Sequence, residues 1–339
     1  AWEIDYADLM APPRAVAGGP ARVRVVEAGP ARAALEVVRQ AEGSTFTQTI
    51  SLAAGQAGDR VEIDLAIDWR TPGTLLKAAF PLAAVADEAV YDLGLGTIRR
   101  GVITEKLYEV PAQRWAGVTD SGGEFGVAIV NDSRYGWDRP DVNTLRLTLL
   151  HTPRVNPNWQ WVGDQKSQDL GRHRVRLAIA GHAGDWRQGD VPQLADRFNQ
   201  PALAFQAPRH AGRFDVGKTF ALFWLHQPVR AGDVDRGVGA QPPTAAIRAV
   251  KLAEQSAELI VRMQELFGET IPDVALTGAR PIVAVREVNG AEEPLGTAPV
   301  SGPVGGALSL RNGSVFLDLQ PYQLRTLAVT LAPPTGWLE

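Results

Sequence analysis

The densest group of chemically capable side chains is Asn131-Asp132-Ser133-Arg134-Tyr135-Gly136-Trp137-Asp138-Arg139. It gathers amides, acids, arginines and two aromatic rings between two segments of alternating polarity. Sugar recognition uses this mixture: ring faces cover apolar C–H patches, while Asp, Asn and Arg exchange hydrogen bonds with hydroxyls. A loop on a rigid scaffold is also where function concentrates. The competing reading is a long turn, capped by Asn131 and Asp132, whose aromatics close the end of a sandwich. Nine Trp against five Tyr adds little, because Trp serves equally in cores.

Other chemistries find less support. The five histidines, His151, His173, His182, His210 and His226, contain no His-x-x-x-His pair, so nothing local builds a metal site. Gly94-Leu95-Gly96 lacks the third glycine and the helix that would cradle a pyrophosphate. No Gly-x-Ser-x-Gly elbow and no phosphate loop occurs. Carboxylates are plentiful, yet sequence spacing cannot reveal the ~5–9.5 Å separation that glycosidic cleavage demands.

The elements that must hold these residues are mostly strands. Thr45 to Ile50, Val61 to Asp68, Thr144 to Leu149 and Arg174 to Ile179 alternate apolar and polar residues, the period of half-buried antiparallel strands. Gly122-Gly123, Asn289-Gly290 and Asn312-Gly313 mark turns, the last two as type I′ candidates because both central residues need positive φ. One segment has a helical stripe: Val191, Leu194, Ala195 and Phe198, with Asp190 placed to cap it and Pro201 to stop it. Thr244 to Phe267 is ambiguous. Leu252, Leu259, Met263 and Leu266 fit a helix, while Leu259-Ile260-Val261 favours a strand. Without regular strand–helix alternation, a doubly wound fold or a TIM barrel is disfavoured.

The bulk properties agree with a β-rich globular chain. Its 339 residues suit two domains or one large all-β unit. Gly and Pro concentrate between about Phe205 and Pro243, predicting a first domain over 1–205, a linker over 206–243 and a second domain over 244–339. The absence of Cys excludes disulfides, thiolate metal sites and a cysteine nucleophile. A net charge of −4 argues against nucleic acid as the partner. No stretch reaches the ~20 apolar residues of a membrane span, and the opening Ala1-Trp2-Glu3-Ile4-Asp5 shows no signal peptide. A cytoplasmic location is therefore expected. The strand-like, acidic opening suggests a piece of a longer chain; a mature protein with its leader removed is the alternative.

Several blocks together resemble a known family. They are Pro111-Ala112-Gln113-Arg114-Trp115, Gly126 to Asp138, Asn143-Thr144-Leu145-Arg146-Leu147, His182-Ala183-Gly184-Asp185-Trp186, Glu287-Val288-Asn289-Gly290 and Pro321-Tyr322-Gln323-Leu324-Arg325. In this order they resemble the C-terminal β region of the α-mannosidases of glycoside hydrolase family 38. His151-Thr152-Pro153 departs from the bacterial-type pattern, which more often carries Arg and Ser before the proline.

The resemblance implies an all-β fold: a large antiparallel, mutarotase-like super-sandwich, then a smaller β-sandwich region, with one short helix near 190–200. It makes 244–267 a strand hairpin. It implies that zinc ligands and an aspartate nucleophile belong to a catalytic domain not included here, so no catalytic residue and no metal site is expected in this chain. The expected partners are that catalytic domain and α-mannosides at a shared site, with self-association through exposed apolar surface. In that setting Asn131, Asp132 and Asp138 are hydroxyl partners, Arg134 a charged donor, and Tyr135 or Trp137 a stacking face. Two other classes stay open. One is an autonomous carbohydrate-binding module. The other is a mutarotase-like epimerase using Glu124 with His173 or His182.

Overall fold

The computed structural model describes residues 4–153, 169–208, 220–228, 243–295 and 308–333. It forms two units, Ala1–Ala202 and Leu203–Glu339. The first described element of the first unit is a short helix, α1 (Tyr6–Met10); Ala1-Trp2-Glu3 of the strand-like opening lie outside the described residues. Thirteen strands follow among the described residues: β1 (Arg22–Ala28), β2 (Arg32–Ala41), β3 (Ser44–Ala53), β4 (Val61–Trp69), β5 (Thr74–Pro81), β6 (Ala89–Asp92), β7 (Thr97–Arg100), β8 (Val110–Pro111), β9 (Trp115–Thr119), β10 (Phe125–Asn131), β11 (Gly136–Asp141), β12 (Thr144–Thr152) and β13 (Gly171–Ala183). Helix α2 (Val191–Asn199) closes the unit.

The strands make a nine-stranded sheet, ordered β1-β2-β3-β4-β13-β10-β9-β6-β7, and a four-stranded sheet, ordered β5-β12-β11-β8. Alternation dictates what lies between them. Phe46, Leu65, Ile67, Ile129, Val175 and Leu177 from the large sheet meet Trp137, Leu145 and Leu147 from the small one in a single core. The small sheet is too narrow to cover its partner. Across the strands Val25 pairs with Leu35, Leu35 with Ile50, Ile50 with Ile63 and Ile63 with Leu177, so all share the core face. Yet Val25 is 64 % exposed and Leu35 43 %.

Helix α2 has the expected extent, but Asp190 does not cap it. That residue takes a left-handed backbone (φ 53°), makes no side-chain cap and pairs instead with Arg197 at 3.1 Å. A conformation that only Gly adopts freely turns the carboxylate away from the first-turn N–H groups.

The second unit carries β14 (Phe223–His226), β15 (Ala245–Leu252), β16 (Leu259–Glu265), β17 (Ile271–Gly278), β18 (Ile282–Val288), β19 (Ser309–Arg311), β20 (Ser314–Leu319) and β21 (Leu324–Leu331). Two four-stranded sheets, β14-β17-β20-β19 and β15-β16-β21-β18, enclose Val261, Met263, Val274, Leu276, Val315, Leu317 and Leu327. Strand β14 falls inside the stretch read as a linker, because a short Phe-Trp-Leu-His run still pairs with β17. The ambiguous Thr244–Phe267 segment is the hairpin β15–β16, with Leu252 opposite Leu259. Asn312-Gly313 (φ 49° and 74°) makes the I′-type turn between β19 and β20. Asn289-Gly290 does not. There the Asn289 carboxamide accepts the Ala291 and Glu293 N–H groups at 2.9 and 3.0 Å, and Glu292 carries the positive φ, 67°. The side chain organises this turn through an Asx bond. No helix among the described residues is long and apolar enough to cross a membrane.

Candidate functional site

Strand β10 ends at Asn131, and its carboxamide builds the turn that follows. Asn131 Oδ1 accepts the N–H groups of Ser133 (3.1 Å) and Arg134 (2.7 Å), while Nδ2 donates to the Gln113 carbonyl at 3.1 Å. Asp132 Oδ1 accepts from Ser133 Oγ at 2.8 Å and from the Arg176 N–H at 3.1 Å. Arg134 donates from Nε to the Leu149 carbonyl at 2.7 Å and from Nη1 to the Ser133 carbonyl at 2.9 Å. Tyr135 stands at the crest, 55 % exposed. The chain then enters β11, where Gly136 pairs with Pro111 and Trp137 with Leu147.

The structure thus divides the six candidate residues. Asp132, Arg134 and Tyr135 share one surface turn. Asn131, Trp137 and Asp138 are buried, and none offers a free face to a ligand. The expectation that Trp137 stacks on a sugar and that Asn131 and Asp138 meet hydroxyls is corrected here. The pleat of β11 sends Trp137 into the core and Asp138 to the opposite face of the sheet, and the three are consumed by the scaffold.

Asp138 belongs to an ionic network that sequence inspection missed. Lys77 Nζ lies 2.6 Å from Asp138 Oδ2, 2.7 Å from Glu109 Oε2 and 2.7 Å from Thr148 Oγ1. Arg146 Nε donates to Asp138 Oδ1 at 2.5 Å, and Thr148 Oγ1 donates to Glu109 Oε1 at 2.5 Å. The Asp138 side chain is wholly buried. Register explains the assembly, since Asp138 faces Arg146, and Thr148 faces Lys77. A side chain at Gly136 would strike the Glu109 carboxylate, so the network also fixes glycine at the start of β11. Alternation in β12 does place Arg146 and Thr148 opposite the leucines; that was the available signal.

Beside this network runs a cleft of about 1160 Å³ between the α1 segment, β2–β3 and the edge strand β5. Asp8, Arg39, Gln48, Lys77, Arg146 and His151 are among its lining residues. Burial holds the His151 imidazole below its ordinary pKa.

The histidines do not converge. Among the described residues no three His, Asp or Glu side chains come together to hold a metal ion. His210 lies outside the described residues. His173 Nε2 meets the Asp169 carbonyl at 2.7 Å on the surface, and His226 Nε2 meets Thr277 Oγ1 at 3.1 Å in the second unit. His182 is near the other end of β13 from His173, roughly 30 Å away along an extended strand. Glu124 therefore cannot act with both. It lies on the His182 side, where its carbonyl accepts the Gly184 N–H at 2.8 Å. The His182 ring packs between Gly126 and Gly189, and burial pulls its pKa below 6.5. The folded state thus keeps His182 neutral, whereas the unfolded chain takes up a proton. The contribution is present above pH 6.5 and is lost as pH falls through that value. The thermal midpoint of the first unit should drop from pH 7 to pH 5, and His182→Gln should flatten that slope. Equal slopes for both proteins would remove His182 from the account.

Comparisons with known proteins match this architecture. Residues 1–157 match the family described as glycosyl hydrolases family 38 C-terminal domain, and residues 244–327 match the glycosyl hydrolases family 38 C-terminal beta sandwich domain. Human alpha-mannosidase 2C1 is 26 % identical over 276 residues, covering 79 % of this chain and 23 % of the human protein. Alpha-mannosidase G of Dictyostelium discoideum is 23 % identical over 306 residues, covering 86 % and 25 %. A crystal structure of a family 38 glycosyl hydrolase from Enterococcus faecalis superposes with a TM-score of 0.66 at 16 % identity, over 91 % of this chain and 36 % of that one. The chain therefore spans about a quarter of the curated relatives it matches. The two family matches, in the expected order and together covering well over half of its residues, show that this chain belongs to the C-terminal region of glycosyl hydrolase family 38.

Proposed function

We propose that this chain is the non-catalytic β portion of a retaining, exo-acting α-mannosidase. In the intact enzyme it packs on the catalytic domain and lends the 131–135 turn to the rim of the sugar site. The observation that carries this reading is the share of relatives covered: two proteins named alpha-mannosidases align with this chain over only about a quarter of their length. The uncovered core-face row at Val25 and Leu35 supports a packing partner, since apolar sheet surface of this kind is normally covered. The family's zinc and nucleophile are assigned to the rest of the polypeptide. Among the described residues no three His, Asp or Glu side chains come together to hold that metal.

At the rim, Tyr135 supplies a ring face, and Asp132 and Arg134 supply an acceptor and a donor held by their own turn. Asn131 and Asp138 act behind them as supports. The test is an α-mannosidase assay on the purified chain with and without added zinc. No turnover is expected; appreciable turnover means that a nucleophile and its partner reside in this chain. A second reading, an autonomous carbohydrate-binding module, is favoured by the exposure of Tyr135. It predicts calorimetric binding of mannobiose tighter than ~1 mM that Tyr135→Ala abolishes.

A further inference from the structure

The outer face of the sheet β14-β17-β20-β19 has no role in the reading above. Strict alternation divides it from the core. Phe223, Val274, Leu276, Val315 and Leu317 point inward and are buried. Trp224 and His226 point the other way and are exposed, on the edge strand. The register aligns Trp224 with Thr277, Thr277 with Ser314 and Ser314 with Arg311 in one cross-strand row. The next row holds His226, Ala275 and Phe316.

Three features narrow what such a face can bind. The Trp224 indole is 38 % exposed and lies flat against no other described ring, while Phe316 is covered by the Arg311 guanidinium, 4.0 Å from its ring centre. One aromatic platform is therefore open. The polar groups beside it are a hydroxyl–imidazole pair, Thr277 Oγ1 with His226 Nε2 at 3.1 Å, and the Ser314 hydroxyl one strand further on. Arg311, the only arginine or lysine in these two rows, is already paired, its Nη2 lying 2.9 Å from Asp273 Oδ1. An anionic ligand finds no unpaired cation among the described residues of these rows. A neutral ligand with an apolar face and hydroxyls around its rim finds a platform and a row of donors and acceptors. We propose that this face binds a neutral pyranoside, stacked on Trp224 and hydrogen-bonded across to Thr277 and Ser314.

The face does not depend on the α-mannosidase reading; only the choice of mannoside as probe rests on it. The test is calorimetric titration of the full chain with α-mannobiose and, separately, cellobiose. At least one disaccharide should bind with a dissociation constant of about 1 mM. Trp224→Ala should weaken that binding about ten-fold or more, and Trp224→Phe should restore most of it by keeping a ring. Loss of that binding in Tyr135→Ala, in the other unit, with Trp224→Ala binding as the parent does, would assign it to the 131–135 turn and overturn the proposal. Cellobiose binding alone, dependent on Trp224, supports the face and counts against a mannoside as its ligand. The proposal is overturned if neither sugar binds, or if Trp224→Ala binds as well as the parent. It is equally overturned if Trp224 and the exposed Leu222 beside it drive self-association without sugar binding.

Discussion

Asp138→Ala should cost the first unit about 3 kcal/mol, the low end of what removing one partner from a buried ion pair does. The carboxylate is wholly buried and has one oxygen on Lys77 and the other on Arg146. After truncation Lys77 keeps Glu109 at 2.7 Å and Thr148 at 2.7 Å, so its charge stays compensated. Arg146 keeps nothing comparable, and its Nη2 is already buried without an acceptor. The loss therefore falls chiefly on the guanidinium. Asp138→Asn should lose nearly as much, since the shape survives but the charge does not. Arg146→Met added to Asp138→Ala should recover part of the loss, because an apolar pair of similar volume leaves no stranded cation. Urea denaturation followed at the first unit's transition measures all three. A cost below ~1 kcal/mol for Asp138→Ala would place the network among ordinary surface pairs.

That network also marks the boundary of what sequence reasoning reaches. Period-2 alternation was sufficient for β3, β4, β12 and β13, where each strand buries one face and wets the other. It was insufficient for Thr244–Phe267. Leu252, Leu259 and Met263 satisfy both periods, and a family resemblance decided for the hairpin that β15 and β16 form. The turn after Asn131 was legible as a concentration of useful side chains. Its division into exposed and buried members was not. Whether Asp138 faces water depends on Lys77, which arrives from β5 through register, and on Glu109, which lies just before β8. The platform at Trp224 lay hidden for a related reason: four residues flanked by Gly- and Pro-rich chain carry too little periodicity to announce a strand.

Arg139→Ala should cost the first unit about 3–5 kcal/mol. The residue is 1 % exposed, yet among the described residues it bonds carbonyls and no carboxylate. Nη1 donates to the Asp87 carbonyl at 2.6 Å; Nη2 donates to the carbonyls of Ala86 and Val142, the latter at 2.5 Å. One planar group thus ties the chain between β5 and β6 to the turn between β11 and β12. Burial lowers its pKa from the ordinary arginine value, but that value is high enough to leave it charged at neutral pH. The Val142 carbonyl retains the Ala86 N–H at 3.3 Å when the guanidinium is removed. The carbonyls of Ala86 and Asp87 have no such second donor among the described hydrogen bonds, and each loses a bond to a charged group, worth about 1.5–3 kcal/mol. Arg139→Lys should recover less than half of the loss, because a compact ammonium cannot span acceptors placed for a planar fork. Arg139→Met keeps most of the packing, so its difference from Arg139→Ala measures the volume contribution. Amide exchange at Ala86 and Asn143 should quicken in all three variants, ahead of exchange in β9 and β10. A lysine variant within ~1 kcal/mol of the parent would show that charge, rather than the fork's geometry, holds the two segments together.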